Sequence, residues 1–553
     1  MKRQSGLQKA LAFLLALLLV LGANATSFTS CAAFIPVAEI KTIADVPADL
    51  SGKTVILHSN DVHGAIGRYA YIASVKQNLQ GRGAEVILVD AGDYSQGTSY
   101  VSTTKGLDAI TAMNAAGYDI VTVGNHEFDY GYAQLKANLS TAKFKVVCAN
   151  IVDANGNLIL PANTMYTTKS GMKIGLFGID TPETQTKTNP ALIKDIVFLS
   201  KGELYTCAQE QIDTLKAQGA DLVVCLSHLG VEEELADDGH RSIDVYNNVK
   251  GLDFMIDGHS HTIMTAEGNA PKIDSTGTKL ETIGLVIIDN ATKSLEQEYL
   301  ITLDGLQKEV IADAVTTAII KRVDREFGAV FTKSEVELNG ERTSNRTEET
   351  NLGDLITDAM LWTATKNAGS ISVPSDHIIA ILNGGAIRDS IKAGDVTKKD
   401  INTALPFGNT VEVVYVTGEE LLEVLEASTF STPQAIKGYP QTAGIKFTIN
   451  TTKSFAKGAA YPASTYYKPA SINRVTIESI NGQPFSKTDT YAVVTNDFCA
   501  AGGDTYCAFT KASAQFDTGI LLDEALIDYV NTELKGSVGS KYAAPRGDHT
   551  IIK

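Results

Sequence analysis

The chain has 553 residues, more than one hydrophobic core usually fills, so at least two folded units are expected. Hydrophobic residues make up 44% of it, with Gly 46 and Pro 14, a composition that excludes collagen-like and disordered chains. The net charge of −17 argues against a nucleic-acid polymer as partner, and a small anion would have to be met by locally placed cations or metals.

At the N-terminus, Lys2, Arg3 and Lys9 lead into LAFLLALLLVLG (11–22), and Ala23-Asn24-Ala25 follows. A basic start, a short apolar core and an A-x-A site describe a signal peptide over residues 1–25 and predict export to the periplasm, the medium or the cell surface. The apolar core is short for a membrane span, so a retained anchor is the weaker reading and no transmembrane span is expected in the mature chain. Thr29-Ser30-Cys31 leaves lipid attachment at Cys31 open.

From residue 54, apolar runs of strand length recur: TVILHSND (54–61), EVILVDAGD (85–93), DIVTVGNHE (119–127), KIGLFGID (173–180), DLVVCLSHLG (221–230) and LDFMIDGHSH (252–261). Helical stretches such as YAQLKANLS and ELYTCAQEQIDTLKAQG separate several of them, which predicts sheets covered by helices over residues 52–303. Residues 304–328 read as one amphipathic helix, with Ile311, Val315, Ile319, Ile320 and Val323 on its apolar stripe, inside a linker assigned to 304–334. A mixed α/β unit is expected over 335–553, with helices at NLGDLITDAMLWTATK and TGEELLEVLEAS, the latter capped by Thr417, and strands at HIIAILNGG, TVEVVYV and YAVVTND.

Of the six cysteines, Cys148 and Cys225 sit in apolar runs and read as buried small hydrophobes, while Cys499 and Cys507 are near enough to pair in an exported chain. EEELADD (232–238) reads as a solvated acidic face. The tripeptide Arg546-Gly547-Asp548 reads as a chance match to an adhesion motif.

The strand ends carry the chemistry. Asn60-Asp61-Val62-His63, Gly92-Asp93, Gly124-Asn125-His126-Glu127, His228 and Gly258-His259-Ser260-His261 each follow an apolar run, and five of the nine histidines stand there. Ligands of α/β sheets bind at the carboxyl ends of strands, so these side chains are expected to converge. Imidazole with carboxylate and amide oxygen suits first-row divalent cations, and the number of candidates exceeds what one tetrahedral ion takes, which points to two metals sharing a carboxylate.

In this order, D-x-H, GD, GNHE, a later His and GHSH resemble the calcineurin-like metallophosphoesterase signature. NGGAIR (383–388), PFGN (406–409) and FCAAGGD (498–504) narrow the resemblance to the exported 5′-nucleotidases. That resemblance implies a four-layer α/β/β/α metallophosphoesterase domain joined by a linker helix to a mixed α/β nucleotide-binding domain. It implies two divalent ions (Zn, Mn, Co or Fe), one held by Asp61, His63, Asp93 and His261 and the other by Asp93, Asn125, His228 and His259. His261 stands where glutamine or asparagine often stands in the group. His126 and Asp129 match the catalytic dyad, and Glu127 is read as N-terminal helix charge. Phe407 and Phe498 match aromatics that sandwich a base, Asp504 a ribose acceptor, Arg346 and Arg388 anion-anchoring arginines, and Asn383 and Asn409 polar contacts beside them; Arg342 is a rival to Arg346. The implied activity is hydrolysis of nucleotide phosphate esters by a metal-activated hydroxide, extending to UDP-sugars or other nucleotide pyrophosphates. Two rival readings stand beside it: a 2′,3′-cyclic-nucleotide phosphodiesterase with 3′-nucleotidase activity, and a non-catalytic nucleotide-binding surface protein.

Overall fold

The computed structural model describes residues 39–231, 239–265, 272–367, 371–462 and 464–553. The expected signal peptide, Cys31 and the acidic run 232–238 lie outside the described residues.

The first half comprises β1 (Lys53–Ser59), α1 (Tyr69–Gly81), β2 (Glu85–Asp90), α2 (Leu107–Ala116), β3 (Ile120–Val121), β4 (Lys173–Asp180), α3 (Lys201–Ala217), β5 (Leu222–His228), β6 (Phe254–Ile256), β7 (Thr282–Asp289), β8 (Ser294–Thr302) and α4 (Val310–Phe327). One seven-stranded sheet runs in the order Ile40–Lys41, β8, β7, β1, β2, β3, Lys145–Val146. A six-stranded sheet runs in the order Ile263–Met264, Ile273–Thr276, β6, β5, β4, Asn163–Thr167. Strands β1, β2 and β3 are mutually parallel, and so are β4, β5 and β6. On β1, Val55 and Leu57 enter the core beneath α1, α2 and α4, while Ile56 faces the other way into a core shared with Ile174, Val224 and Ile288. A strand covered on both faces needs this unbroken apolar run, because alternate side chains serve different layers. Helix α3 covers the outer face of the second sheet, where Leu215 packs against Gly175. The four layers are thus helix, sheet, sheet, helix.

Helix α4 docks on the first half through Ala312, Val315, Ile319 and Ile320. Ile311, placed on the stripe by helical spacing, is 67% exposed, because it lies in the first turn, ahead of the packed segment.

The second half comprises β9 (Val330–Ser334), α5 (Asn351–Asn367), β10 (Ile378–Asn383), β11 (Thr410–Thr417), α6 (Gly418–Ser428), β12 (Pro440–Ala443), β13 (Thr490–Asn496), β14 (Ala514–Leu521) and α7 (Leu522–Thr532). Its main sheet runs β12, β10, β13, β11, β14. On β10, Ala380 and Leu382 join the core under α5 and α7, whereas Ile379 and Ile381 join the core under α6. Thr417 caps α6 as expected, with its hydroxyl 3.3 Å from the Glu420 N–H and the Glu420 carboxylate accepting in return from the Thr417 N–H at 2.8 Å.

Cys148 and Cys225 are fully buried. Cys499 and Cys507 are both free thiols rather than a pair: one lies 3.4 Å from Asn383 Oδ1, the other 3.5 Å from the Gly502 carbonyl. Arg546 of the Arg-Gly-Asp tripeptide is committed to Asp354 at 2.9 Å and Asp358 at 2.5 Å, and Glu349 accepts from the Gly547 and Asp548 N–H groups, so the segment is a C-terminal fastening.

Candidate active site

The carboxyl ends of β1, β2, β3, β5 and β6, drawn from both sheets, meet at one place. Asp61, His63 and His261 form one group of converging ligand atoms, and Asp93, His228 and His259 another. Asp93 links the two, lying 3.8 Å from His63 Nε2 and 3.0 Å from His228 Nε2. Asn125 Oδ1 is 2.8 Å from His259 Nδ1. The structure therefore brings together all seven residues that the sequence nominated for metal.

The backbone is bent to achieve this. Asp61, His63, Asp93, His259 and His261 all have positive φ, between 45° and 75°. That region disfavours most side chains and is tolerated best by Asp, Asn and His, so the residue types suit the turn as well as the chemistry. Gly124 is needed for a different reason: a Cβ there would stand 2.5 Å from Asp93 Oδ1 and 2.7 Å from the His228 ring.

Glu127 does more than cap a helix. It does accept from the Gly124 N–H at 2.7 Å, at the start of the short turn Asn125–Phe128. It also accepts from the N–H groups of Asp93, Tyr94 and Ser95 at 2.8–2.9 Å. A single buried carboxylate thus fastens the loop after β2 to the loop after β3.

The donor set fits divalent cations. The ring nitrogen Nδ1 of His63 lies 3.2 Å from the Gln96 carbonyl and that of His228 lies 2.6 Å from the Ala91 carbonyl. Each outer nitrogen therefore carries the hydrogen, and Nε2 is turned inward. His259 is reversed: Nε2 meets Glu183 Oε2 at 2.9 Å, which turns Nδ1 toward Asn125 Oδ1. Such outer partners orient metal-binding imidazoles. Burial opposes charge on Asp93, yet His228, His126 and His63 hold its carboxyl well below the ordinary range. Burial also opposes charge on His228, and Asp93 nonetheless raises that imidazole well above its ordinary value. A cation between them would take the place of a shared proton.

His261 fits less simply. Arg342 Nη1 lies 2.6 Å from its Nδ1, and a guanidinium only donates. The ring hydrogen is then on Nε2, which faces His63 Nε2 at 3.0 Å, so ligation through Nε2 competes with the Arg342 contact.

His126 and Asp129 form a tight pair, Nδ1 to Oδ2 2.6 Å, and Thr188 Oγ1 lies 3.4 Å from the other carboxylate oxygen. Burial pushes the Asp129 carboxyl up, against the pull of His126. His126 Nε2 points back toward the cluster, 4.0 Å from Asp93.

From this dyad a cavity of about 60 Å³ leads into the second half. Asn125, His126, Asp129, Arg388, Phe407 and Phe498 help to wall it, along with Asn383, Asn409 and Asp504. Phe407 lies 5.7 Å from the His126 ring and 5.6 Å from the Arg388 guanidinium. Burial, then Arg342, lowers Arg388 to about 10, so it remains a cation at neutral pH. Arg346 stands outside this wall, where its charge bears on His261 together with Arg342 and Arg388. Arg342, the rival, makes the direct contact.

Five further residues, Glu183, Lys187, Asn189, Lys437 and Asp497, join the two halves and went unseen in the sequence. Lys187 Nζ lies 3.4 Å from Glu183 Oε1 and 3.3 Å from Asp504 Oδ1. Lys437 Nζ lies 3.2 Å from His259 Nε2. Against burial, these two lysines hold Glu183 well below the usual carboxylate range. Asn189 donates to Asp497 Oδ2 at 3.0 Å, and Asn409 donates to Oδ1 of the same carboxylate at 2.8 Å. None of the cross-half pairs has a sequence signature, since Lys187 and Asp504 stand 317 positions apart, Asn189 and Asp497 308, and His259 and Lys437 178; local spacing could have offered only Glu183 with Lys187, at i,i+4, and Glu127, three residues beyond Gly124.

Residues 54–262 match the family described as calcineurin-like phosphoesterase, and residues 329–511 match the 5′-nucleotidase C-terminal domain. The chain is 29% identical over 546 residues to the trifunctional nucleotide phosphoesterase protein YfkN of Bacillus subtilis (strain 168), covering 90% of this chain but 35% of that much longer relative. It is 27% identical to the 5′-nucleotidase of Vibrio vulnificus (strain CMCP6), covering 91% of this chain and 94% of that one. The crystal structure of a 5′-nucleotidase precursor from Thermus thermophilus superposes with a TM-score of 0.73 at 27% identity, over 91% of this chain and 99% of the other.

Proposed function

Since the chain belongs to the 5′-nucleotidase family and is a metallophosphoesterase hydrolase, we propose that it removes the 5′-phosphate from nucleoside monophosphates after export. The observation that carries this reading is a single cavity with Asn125, His126 and Asp129 at one end and Phe407, Phe498 and Asp504 farther along. A phosphate at the first end and a base at the second belong to one small molecule.

Asp61, His63, Asp93, Asn125, His228 and His259 would hold divalent cations, which would supply Lewis acidity toward a phosphoryl oxygen and toward water. His126, its Nδ1 hydrogen fixed by Asp129, acts as the imidazolium, whose Nε2–H donates to the charge that develops on the phosphoryl group and the leaving 5′-oxygen. Arg388 adds fixed positive potential for the phosphate beside Phe407. Phe407 and Phe498 take the faces of the base, a contact tolerant of base identity. Asp504 accepts from the sugar hydroxyls.

The test is hydrolysis by the purified protein, supplied in turn with Mn²⁺, Co²⁺ or Zn²⁺, of AMP, UDP-glucose and 2′,3′-cyclic AMP. Phosphate release from AMP is the expected result. Turnover of the cyclic nucleotide alone, or of none of the three, would overturn the reading.

A further inference from the structure

Lys187 lies in the short helix Thr184–Lys187 of the first half, yet its ammonium is buried against the second. It contacts the Tyr466 hydroxyl, Asp504 Oδ1 at 3.3 Å and Glu183 Oε1 at 3.4 Å, and it lies 4.8 Å from the centre of the Tyr466 ring. The ammonium gives hydrogens to the Tyr466 hydroxyl and to Asp504 Oδ1, and Glu183 Oε1 stands beside it at ion-pair distance, so among the described residues it is aimed at the second half. The group also lines the cavity, on the side of Asp504 and Asn383.

Asp504 needs such a partner. It is 2% exposed, sits at φ 49°, and is held by its own N–H on the Thr186 carbonyl at 2.7 Å and by Asn383 Nδ2 on Oδ2 at 2.9 Å. Glu183 is a second fully buried carboxylate beside the same lysine. Two carboxylates in one dry space repel, and a buried charge that loses its partner is costly. Lys437 lies on the side of Glu183 and His259, so Lys187 is the cation that Glu183 and Asp504 share. Each oxygen of Asp504 keeps lone-pair capacity for a hydroxyl donor.

We propose that Lys187 is a specificity-determining residue, which holds the Asp504 carboxylate in place as the acceptor for a vicinal sugar diol and so makes the enzyme prefer ribonucleotides to deoxynucleotides. The inference rests on the nucleotidase reading given above. Lys187 acts through Asp504, and it makes its contribution in substrate binding more than in the chemical step.

The experiment compares the holoenzyme with Lys187→Met and Lys187→Arg on AMP, 2′,3′-dideoxy-AMP and p-nitrophenyl phosphate. The wild type is expected to favour AMP over the dideoxy analogue. Lys187→Met should shrink that ratio by about tenfold, chiefly through KM for AMP, with a smaller loss on p-nitrophenyl phosphate. Lys187→Arg should recover part of the ratio, which a purely volumetric role would not allow. Equal losses on all three substrates with the ratio intact would overturn the inference and leave Lys187 a strut. Should Lys187→Met not fold, an unchanged ratio in Tyr466→Phe together with a collapsed ratio in Lys187→Arg would also count against it. A wild type that cleaves p-nitrophenyl phosphate but no nucleotide would instead sink the nucleotidase reading, and one that cleaves AMP without any diol preference would sink the Lys187 inference alone.

Discussion

The ligand cluster of the first half and the slot of the second are built by opposite means. In the cluster, the main chain does the positioning: five residues in left-handed conformations at strand ends, with Glu127 fastening two of the loops through four N–H groups. In the slot, side chains position other side chains across the two halves: Lys187 on Asp504 and Asn189 on Asp497. The cluster's framework is built within its half, with Arg342 and Lys437 reaching His261 and His259 from the other, whereas a site held by cross-half pairs exists only where the halves meet.

The sharpest way to break this comparison is His126→Ala. It should lower kcat on AMP by about 10²- to 10⁴-fold while leaving metal content per chain, read by elemental analysis, at the wild-type value. Loss of metal in that variant would mean that the dyad is part of the cluster's framework. Glu127→Gln comes next. An amide cannot accept as many N–H groups as a carboxylate, and metal affinity, followed by titration with a competing chelator, should weaken by about 10- to 100-fold. Phe407→Ala should act on the slot alone, costing about 1–3 kcal/mol in nucleotide binding and raising KM for AMP without a matching rise for p-nitrophenyl phosphate.

The smallest expected effect is on stability in acid. Burial, then Arg546, holds the His549 imidazole down to about 3, against an ordinary value near 6.5. The folded chain therefore refuses a proton that the unfolded chain accepts, so this contribution is intact above about pH 6.5 and is lost as pH falls toward 3. His549→Gln, which can still reach Tyr439 and Thr442, should flatten the decline of Tm across that window.

The same contrast explains what was legible in the sequence. Strands β1, β2 and β5 were visible because a strand buried on both faces must be apolar throughout. Their polar tips were visible because each follows its strand directly. DIVTV was less faithful: only Ile120–Val121 pairs as regular strand before the chain turns at Gly124 to bring Asn125 inward. The cross-half contacts of Lys187 and Lys437, with Glu183 between them, could not be read at all. A lysine in a short polar helix carries no mark that its partner is a carboxylate 317 positions away. Arg342 and Arg346 show the intermediate case: the resemblance nominated Arg346 with Arg342 as its rival, and only the fold shows that Arg342 is the one in contact with His261.

The cluster draws its ligands from both sheets of the first half, with Asp61, Asp93 and Asn125 arriving from one and His228 and His259 from the other. An ion seated there is consequently a cross-link between two layers that otherwise adhere through apolar contact. Mass action then makes resistance to heat depend on ion supply, with free ion at a hundred times its dissociation constant adding about 2.7 kcal/mol. The melting profile of this protein would then be a gauge of the trace metal around it.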